Sequence, residues 1–106
     1  MGNSRSRLVA PRAALLALLL ALGFGCGPVS YTSNIRSAEQ KLQLAREENA
    51  RWYAPYEYYF AEAHLQQSER LAAESEYEDA IRYAKIAEDF SGRALEITRR
   101  KRLTER

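Results

Sequence analysis

The sequence predicts an all-α protein in which a cleaved N-terminal signal helix precedes a three-helix antiparallel bundle. Two observations lead to this prediction. From residue 34 onward, apolar residues recur at spacings of three and four, which is the period of one helix face. A proline at position 55 and the stretch AESEYED then divide this pattern into three helices, at about 34–52, 55–73 and 76–100. The chain is long enough for one domain.

The first bundle helix shows one narrow apolar seam. Its members follow a repeat of three and four residues: Ile35, Ala38, Leu42, Ala45, Asn49 and Trp52. Thr32 or Ser33 is placed to cap the start of this helix. Residues 26–33, which come before it, contain glycine, proline and serine and therefore predict a short tether.

The second and third helices have equally clear boundaries in the sequence. Pro55 suits the first turn of the second helix, because backbone N–H groups there have no intrahelical acceptor. Ser75 and Glu78 match a capping box, which predicts that the third helix begins at this point. Gly92 lies inside the third helix and costs about 1 kcal/mol relative to alanine, so a close approach or a slight kink is expected there.

The first 25 residues predict a lipoprotein signal peptide. Residues 1–12 carry three arginines and no acid, and a mostly apolar run follows at 13–24. That run is too short to span a bilayer, which takes roughly 20 residues. The stretch LGFGC resembles the bacterial lipobox, which implies cleavage before Cys26, a lipid on its thiol and a membrane anchor. By analogy with such lipoproteins, Gly27 favours the outer membrane, facing the periplasm, over the inner membrane.

Two features of the N-terminus leave alternatives open. A leucine usually stands three residues before the lipobox cysteine, whereas this chain has Gly23 there and Leu22 one position earlier. Cleavage at Cys26 therefore stays open. The opening MGNSRS also matches a short N-myristoylation pattern, although myristoylation would leave the apolar run and Cys26 without a role.

Charge is segregated along the predicted mature chain. Residues 26–92 hold seven basic and twelve acidic groups, net −5, whereas residues 93–106 hold six basic and two acidic groups, net +4. An acidic body with a basic tail differs from a uniformly basic nucleic-acid binder, and export would remove nucleic acid as a partner. The candidate binding residues of the tail are Arg99, Arg100, Lys101 and Arg102. They suit anionic lipid, cell-wall carboxylates or an acidic protein face, or they are a solvated helix end favoured by the helix dipole.

The stretch RWYAPYEYYF, residues 51–60, places six aromatic residues around Pro55. Tyr58, Tyr59 and Phe60 fall on apolar stripes, which predicts that several of them fill the core where two helices meet. The other aromatic residues of this stretch cannot all point into the core. The candidates for stacking on sugar rings, touching lipid headgroups or receiving a partner helix are Trp52, Tyr53, Tyr56 and Tyr59.

The sequence offers no set of residues typical of catalysis. His64 is its only histidine and Cys26 its only cysteine. A metal site needs more than one good ligand, and general acid–base work needs an oriented partner. Glycine-rich phosphate loops are also missing from the sequence. We therefore expect no enzymatic activity, no cofactor and no metal.

Residues 54–97 carry a family resemblance. The opening APYEYYFAEAHL, the turn SEYEDAI and the helix AIRYAKIAEDF resemble the bacterial family called domain of unknown function 4398. That resemblance implies a small helical envelope protein, often a lipoprotein, and it brings no catalytic residues. The same region resembles one tetratricopeptide hairpin, but Ser68 stands where glycine is typical and no second copy follows.

These observations predict a non-catalytic interaction or scaffolding module of the bacterial envelope. Its membrane contact would be the lipid on Cys26, and its partner an envelope protein or a second copy of itself. The alternative is a peptidoglycan- or carbohydrate-binding protein that uses the aromatic residues around Pro55 and the basic tail. Nucleic acid is not expected as a partner.

Overall fold

The computed structural model describes the backbone of residues 3–105, and the side chains of residues 12–19 and 27–105. Within this part of the chain lie four α-helices: α1 (Asn3–Glu47), α2 (Ala50–Tyr53), α3 (Pro55–Ala73) and α4 (Tyr77–Thr104). The same residues form no β-strand. The prediction of an all-α helical bundle is confirmed.

The three long helices run up, down and up. The Tyr31 and Tyr77 rings meet near one end of the bundle, with centroids 6.0 Å apart. Near the other end, Arg99 Nε lies 3.0 Å from a carboxylate oxygen of Glu48. Between them, Lys41 Nζ of α1 lies 2.9 Å from a carboxylate oxygen of Glu88 on α4. Because these contacts follow the same order along both segments, α1 and α4 are parallel. Helix α4 packs extensively along both α1 and α3, which touch each other much less.

The core of the bundle is built from small residues on α4. Its seam residues are buried and recur at spacings of four and three: Ala80, Ala84, Ala87, Ser91, Ala94 and Thr98. The facing seams of α1 and α3 alternate small and large residues: Ile35, Ala38, Leu42 and Ala45, then Tyr58, Ala61, Leu65 and Ser68. Helix axes can approach closely where the contacting side chains are small. One helix can therefore pack against two others.

One buried hydroxyl of this core, that of Ser68, helps to fix the register of two helices. Ser68 Oγ donates a hydrogen bond to the carbonyl oxygen of Ala80, 2.5 Å away on the neighbouring helix. Ser91 Oγ donates to the carbonyl oxygen of Ala87 at 2.7 Å, within α4. A buried hydroxyl is costly unless it is hydrogen-bonded. The Ser68 bond thus ties α3 to the start of α4.

Residues 27–33, predicted to be a tether, are instead a continuous part of α1. Their polar side chains bond back along the helix: Thr32 Oγ1 donates to the carbonyl of Pro28, and Asn34 Nδ2 to the carbonyl of Ser30, each at 2.8 Å. Thr32 therefore does not cap a new helix, and that prediction was wrong. The linker-like composition is overridden because Tyr31 packs on Tyr77 of α4.

The predicted first helix also ends earlier than expected. Asn49 adopts a left-handed conformation, with φ of 68°, which asparagine tolerates better than most residues. Helix α1 stops at Glu47, and the short α2 takes a new direction. As a result Trp52 leaves the seam and is 77% exposed, whereas Ala50 and Ala54 are buried. The placement of Asn49 and Trp52 in the core seam was wrong.

Helix α3 begins and ends at the predicted residues, but the turn after it differs from the prediction. Ser75 has a positive φ of 63° and does not cap α4. Its N–H donates to the carbonyl of Ala72, and the N–H of Glu76 donates to the carbonyl of Leu71, both at 2.9 Å. These two bonds form a Schellman motif, which closes the end of α3. Helix α4 then starts at Tyr77 and runs past the predicted end to Thr104.

Gly92 has no close neighbour, contrary to the expectation of a close approach. A Cβ atom added there would meet nothing within 4 Å. We expect Gly92→Ala to raise the free energy of unfolding by about 0.5–1 kcal/mol, because alanine loses less backbone entropy in a helix. Urea denaturation followed by circular dichroism measures this change. A loss of stability would show that α4 needs glycine at this position.

The small-residue seam predicts a sharp response to added volume. Ala84→Leu should lower the free energy of unfolding by about 1–3 kcal/mol or more, because Ala84 is fully buried between helices. The matched control is Lys85→Leu on the exposed side of the same turn, with an effect within about 0.5 kcal/mol. Equal effects in urea denaturation would contradict tight packing along α4.

Candidate functional site

The bundle has two ends with different chemistry. The end that contains Gly27, Tyr31 and the turn at residues 74–76 is called the anchor end, because the predicted lipid site, Cys26, adjoins Gly27. The end that contains the corner, residues 48–54, the first turns of α3 and the second half of α4 is called the distal end. Helix α1 connects the two ends without a break. Since a helix rises 1.5 Å per residue, the part of α1 from Gly27 to Glu47 separates the two ends by about 30 Å.

The anchor end is acidic. Exposed carboxylates stand on the turn and on the first residues of α4, at Glu74, Glu76 and Glu78. Tyr31 packs nearby, where burial, and next the charge of Glu69, raise the pKa of its hydroxyl. The side chain of Cys26 lies outside the described residues, so the lipidation predicted there stays a prediction.

Three of the candidate aromatic residues form an exposed aromatic surface at the distal end. Trp52 is 77% exposed, Tyr56 is 67% exposed and Tyr59 is 53% exposed. Such large exposed rings are enriched at binding surfaces, because each covers much area with few rotatable bonds. Tyr53 is half-buried, and its hydroxyl donates to Glu105 at 2.8 Å. The binding role predicted for these residues stays a prediction.

Tyr58 is fully buried, as its place on an apolar stripe predicted. Its hydroxyl lies toward the distal end and accepts hydrogen bonds from Arg46 Nε at 2.8 Å and Arg51 Nε at 3.3 Å. The same hydroxyl donates to Glu62 at 3.3 Å. Arg46 belongs to α1, Arg51 to α2 and Tyr58 to α3. One hydroxyl therefore joins three helices at the corner.

Most of the basic tail turns inward onto the corner. Arg99 pairs with the Glu48 carboxylate, and Lys101 Nζ donates to the carbonyl oxygen of Tyr53. Arg102 Nη2 donates to the carbonyl oxygen of Glu48, and its guanidinium lies 5.9 Å from the centre of the Tyr53 ring. Carbonyls after the end of a helix lack intrahelical donors. Lys101 and Arg102 supply donors to two such carbonyls, and together with the Arg99–Glu48 ion pair they hold the corner against α4.

Arg100 differs from its neighbours in the tail. Its guanidinium faces Glu96 on its own helix at 3.9 Å, and both side chains are about two-thirds exposed. Such an exposed pair contributes little to stability. Arg100 can therefore rearrange toward a ligand at small cost, whereas Arg99, Lys101 and Arg102 would have to leave the corner.

A groove of about 350 Å³ lies beside the aromatic surface, between the first turn of α3 and the later turns of α4. Its lining combines aromatic, aliphatic and charged side chains: Tyr56, Glu57, Phe90, Arg93, Glu96, Ile97 and Arg100. Among these, only Tyr56 and Arg100 were candidates from the sequence. The others were missed because they become neighbours only when α3 and α4 pack antiparallel. The sequence did carry one signal for this site. In two consecutive antiparallel helices the start of the first lies beside the end of the second, so residues near the end of α4 could have been expected beside Tyr56.

His64 is a packing residue next to this groove. Its ring stacks on Phe60, with centroids 4.1 Å apart, and lies 5.5 Å from Tyr83. Its Nδ1 is 2.9 Å from the carbonyl oxygen of Phe60. A carbonyl can only accept, so Nδ1 carries the hydrogen. Across residues 12–19 and 27–105, no three His, Cys, Asp or Glu side chains come together to hold a metal ion.

Comparison with known proteins identifies the family. The family model described as Domain of unknown function (DUF4398) matches residues 33–106, which is more than two-thirds of the chain. The chain therefore belongs to this family. Searches of curated proteins and of solved structures found no match. In the described part of the chain, no helix has the length and apolar character needed to cross a membrane.

The inward contacts of the basic tail predict unequal effects of its residues on stability. Arg102→Gln should lower the free energy of unfolding by about 1–2 kcal/mol, because a partly buried, charge-assisted hydrogen bond is lost. Arg100→Gln is the matched control and should change it by less than about 0.5 kcal/mol. Urea denaturation measures both. Equal, small effects would mean that the tail is not part of the corner.

Proposed function

We propose that this protein is a lipid-anchored module of the bacterial envelope that binds other envelope components without catalysis. The lipid on Cys26 would hold it in the outer membrane, facing the periplasm. An envelope protein or a second copy of the chain would dock on the distal end. The proposal rests on the N-terminal pattern of arginines, apolar run and cysteine, together with the geometry of the bundle.

The observation that carries the proposal is the separation of the anchor end from the exposed aromatic surface. Helix α1 is unbroken from Gly27 to Glu47, so no flexible linker separates the proposed anchor from the bundle. A bundle standing on its anchor presents Trp52, Tyr56 and Tyr59 about 30 Å above the membrane. Exposed rings of this kind serve as anchors of protein interfaces.

A second candidate function is binding of peptidoglycan or another carbohydrate. The groove at the distal end favours it, because its aromatic and charged lining suits a small polar ligand better than a lipid. In this candidate the lipid anchor and the distal position are unchanged. The two candidates differ only in what the distal end contacts.

The anchor is tested by replacing Cys26 with serine in a bacterial host supplied with a palmitate analogue that can be labelled. We expect the wild-type protein to carry the label and to fractionate with the outer membrane. Cys26→Ser should lose the label and keep its N-terminal segment, which adds mass on a denaturing gel. The reason is that only a cysteine thiol can form the lipid thioether.

Two controls make this test specific. A Cys26→Ser, Ser30→Cys double variant keeps a thiol four residues away and should stay unlabelled. A Gly2→Ala variant should keep the label. In a parallel culture supplied with a myristate analogue, label that survives in Cys26→Ser and disappears in Gly2→Ala would support N-myristoylation instead. Wild-type protein without any label would overturn the lipid anchor.

A further inference from the structure

We propose that the groove at the distal end binds a glycopeptide unit of the cell wall, namely an amino sugar that bears a short peptide with free carboxylate and amino groups. This inference rests on the proposed envelope location of the protein. It assigns the contact to the groove rather than to the basic tail or to the whole aromatic surface.

The groove has the size of a small-ligand site. Its volume of about 350 Å³ lies at the lower end of the range for ligand pockets, roughly 300–1,000 Å³. One sugar ring with part of its peptide fits such a volume. A docked helix would need a long apolar track with contacts every three or four residues. The groove offers only Tyr56, Phe90 and Ile97 as apolar contacts, between four charged side chains.

The aromatic floor of the groove is held in place from behind. Phe60 stacks against Phe90, with centroids 4.2 Å apart, and lies 5.8 Å from Tyr56. His64 also stacks on Phe60, with ring centroids 4.1 Å apart. These contacts leave Tyr56 two-thirds exposed but supported. A supported ring loses little entropy when the C–H face of a sugar stacks on it.

The charges of the groove complement a ligand that carries both signs. Arg93 lies over the Phe90 ring, 4.6 Å from its centre, and pairs with Asp89 at 2.8 Å. Arg100 makes only the long, exposed contact with Glu96 described above. Planar guanidinium groups suit carboxylates, since they can bind both oxygens at once. The carboxylates of Glu57 and Glu96, on the same groove, suit the amino group of the peptide.

The test is co-sedimentation of the full-length protein, kept in detergent, with purified cell-wall sacculi. We expect the wild-type protein to sediment with sacculi and to be released by soluble glycopeptide fragments. Glycan chains stripped of peptide should compete poorly, and sacculi with amidated carboxyl groups should bind less. Binding that is insensitive to both treatments would overturn the proposed ligand.

Variants locate the site. Tyr56→Ala and the pair Arg93→Gln, Arg100→Gln should each weaken binding by about tenfold or more, the size expected for losing one main contact. The matched controls are Leu44→Ala and Leu103→Ala, which remove exposed apolar side chains that do not line the groove. They should bind within about twofold of wild type. Circular dichroism confirms that each variant keeps its helix content.

Two other results would overturn the proposal in different ways. If Trp52→Ala and Tyr59→Ala weaken binding as much as Tyr56→Ala, the contact is the whole aromatic surface and the groove is not the site. If the wild-type protein does not bind sacculi, the glycopeptide ligand is excluded. A labelled Cys26 in the palmitate experiment would then leave the lipid-anchored module standing, with a protein partner at the distal end.

Discussion

The constraint on which the structure depends is the row of small residues along α4. Alanine, serine and threonine at every seam position let this helix approach α1 and α3 closely. Larger residues on the facing seams, such as Leu42 and Leu65, fill the space that the small ones leave. Because α4 has two partners, every other feature of the bundle is placed relative to it. The corner, the groove and the anchor end all lie where a neighbour meets α4.

The distal end shows how one set of charges can serve structure rather than binding. Helix α1 ends at a left-handed asparagine, so the carbonyls of the corner lack helical partners. The basic residues of α4 donate to them, and the Tyr58 hydroxyl gathers two guanidinium groups beside them. With these bonds, the carbonyls of the corner do not depend on water or a ligand for their hydrogen bonds. It leaves Arg93 and Arg100, rather than the whole tail, beside the groove.

An unbroken α1 gives the proposed function its geometry. A flexible tether after Cys26 would let the bundle reach the membrane in any orientation, whereas a helical connection fixes which end is near the anchor. The acidic turn stands at that end, and the aromatic surface stands at the other. The proposed lipid anchor and the proposed distal contact therefore lie at opposite ends of the bundle, and each can be tested without the other.

The sequence by itself determined the helical class, the bounds of α3 and the core seam of α1 from Ile35 to Ala45. The reason is that a repeat of three and four apolar or small residues can bury one face only as a helix, and Pro55 fits only the first turn of one. Tertiary structure decided the rest. Packing of Tyr31 on Tyr77 turned the expected tether into helix, and the left-handed Asn49 turned Trp52 outward. The groove brings together residues more than 30 positions apart, from Tyr56 to Phe90, and their meeting depends on how two helices pack rather than on any local pattern.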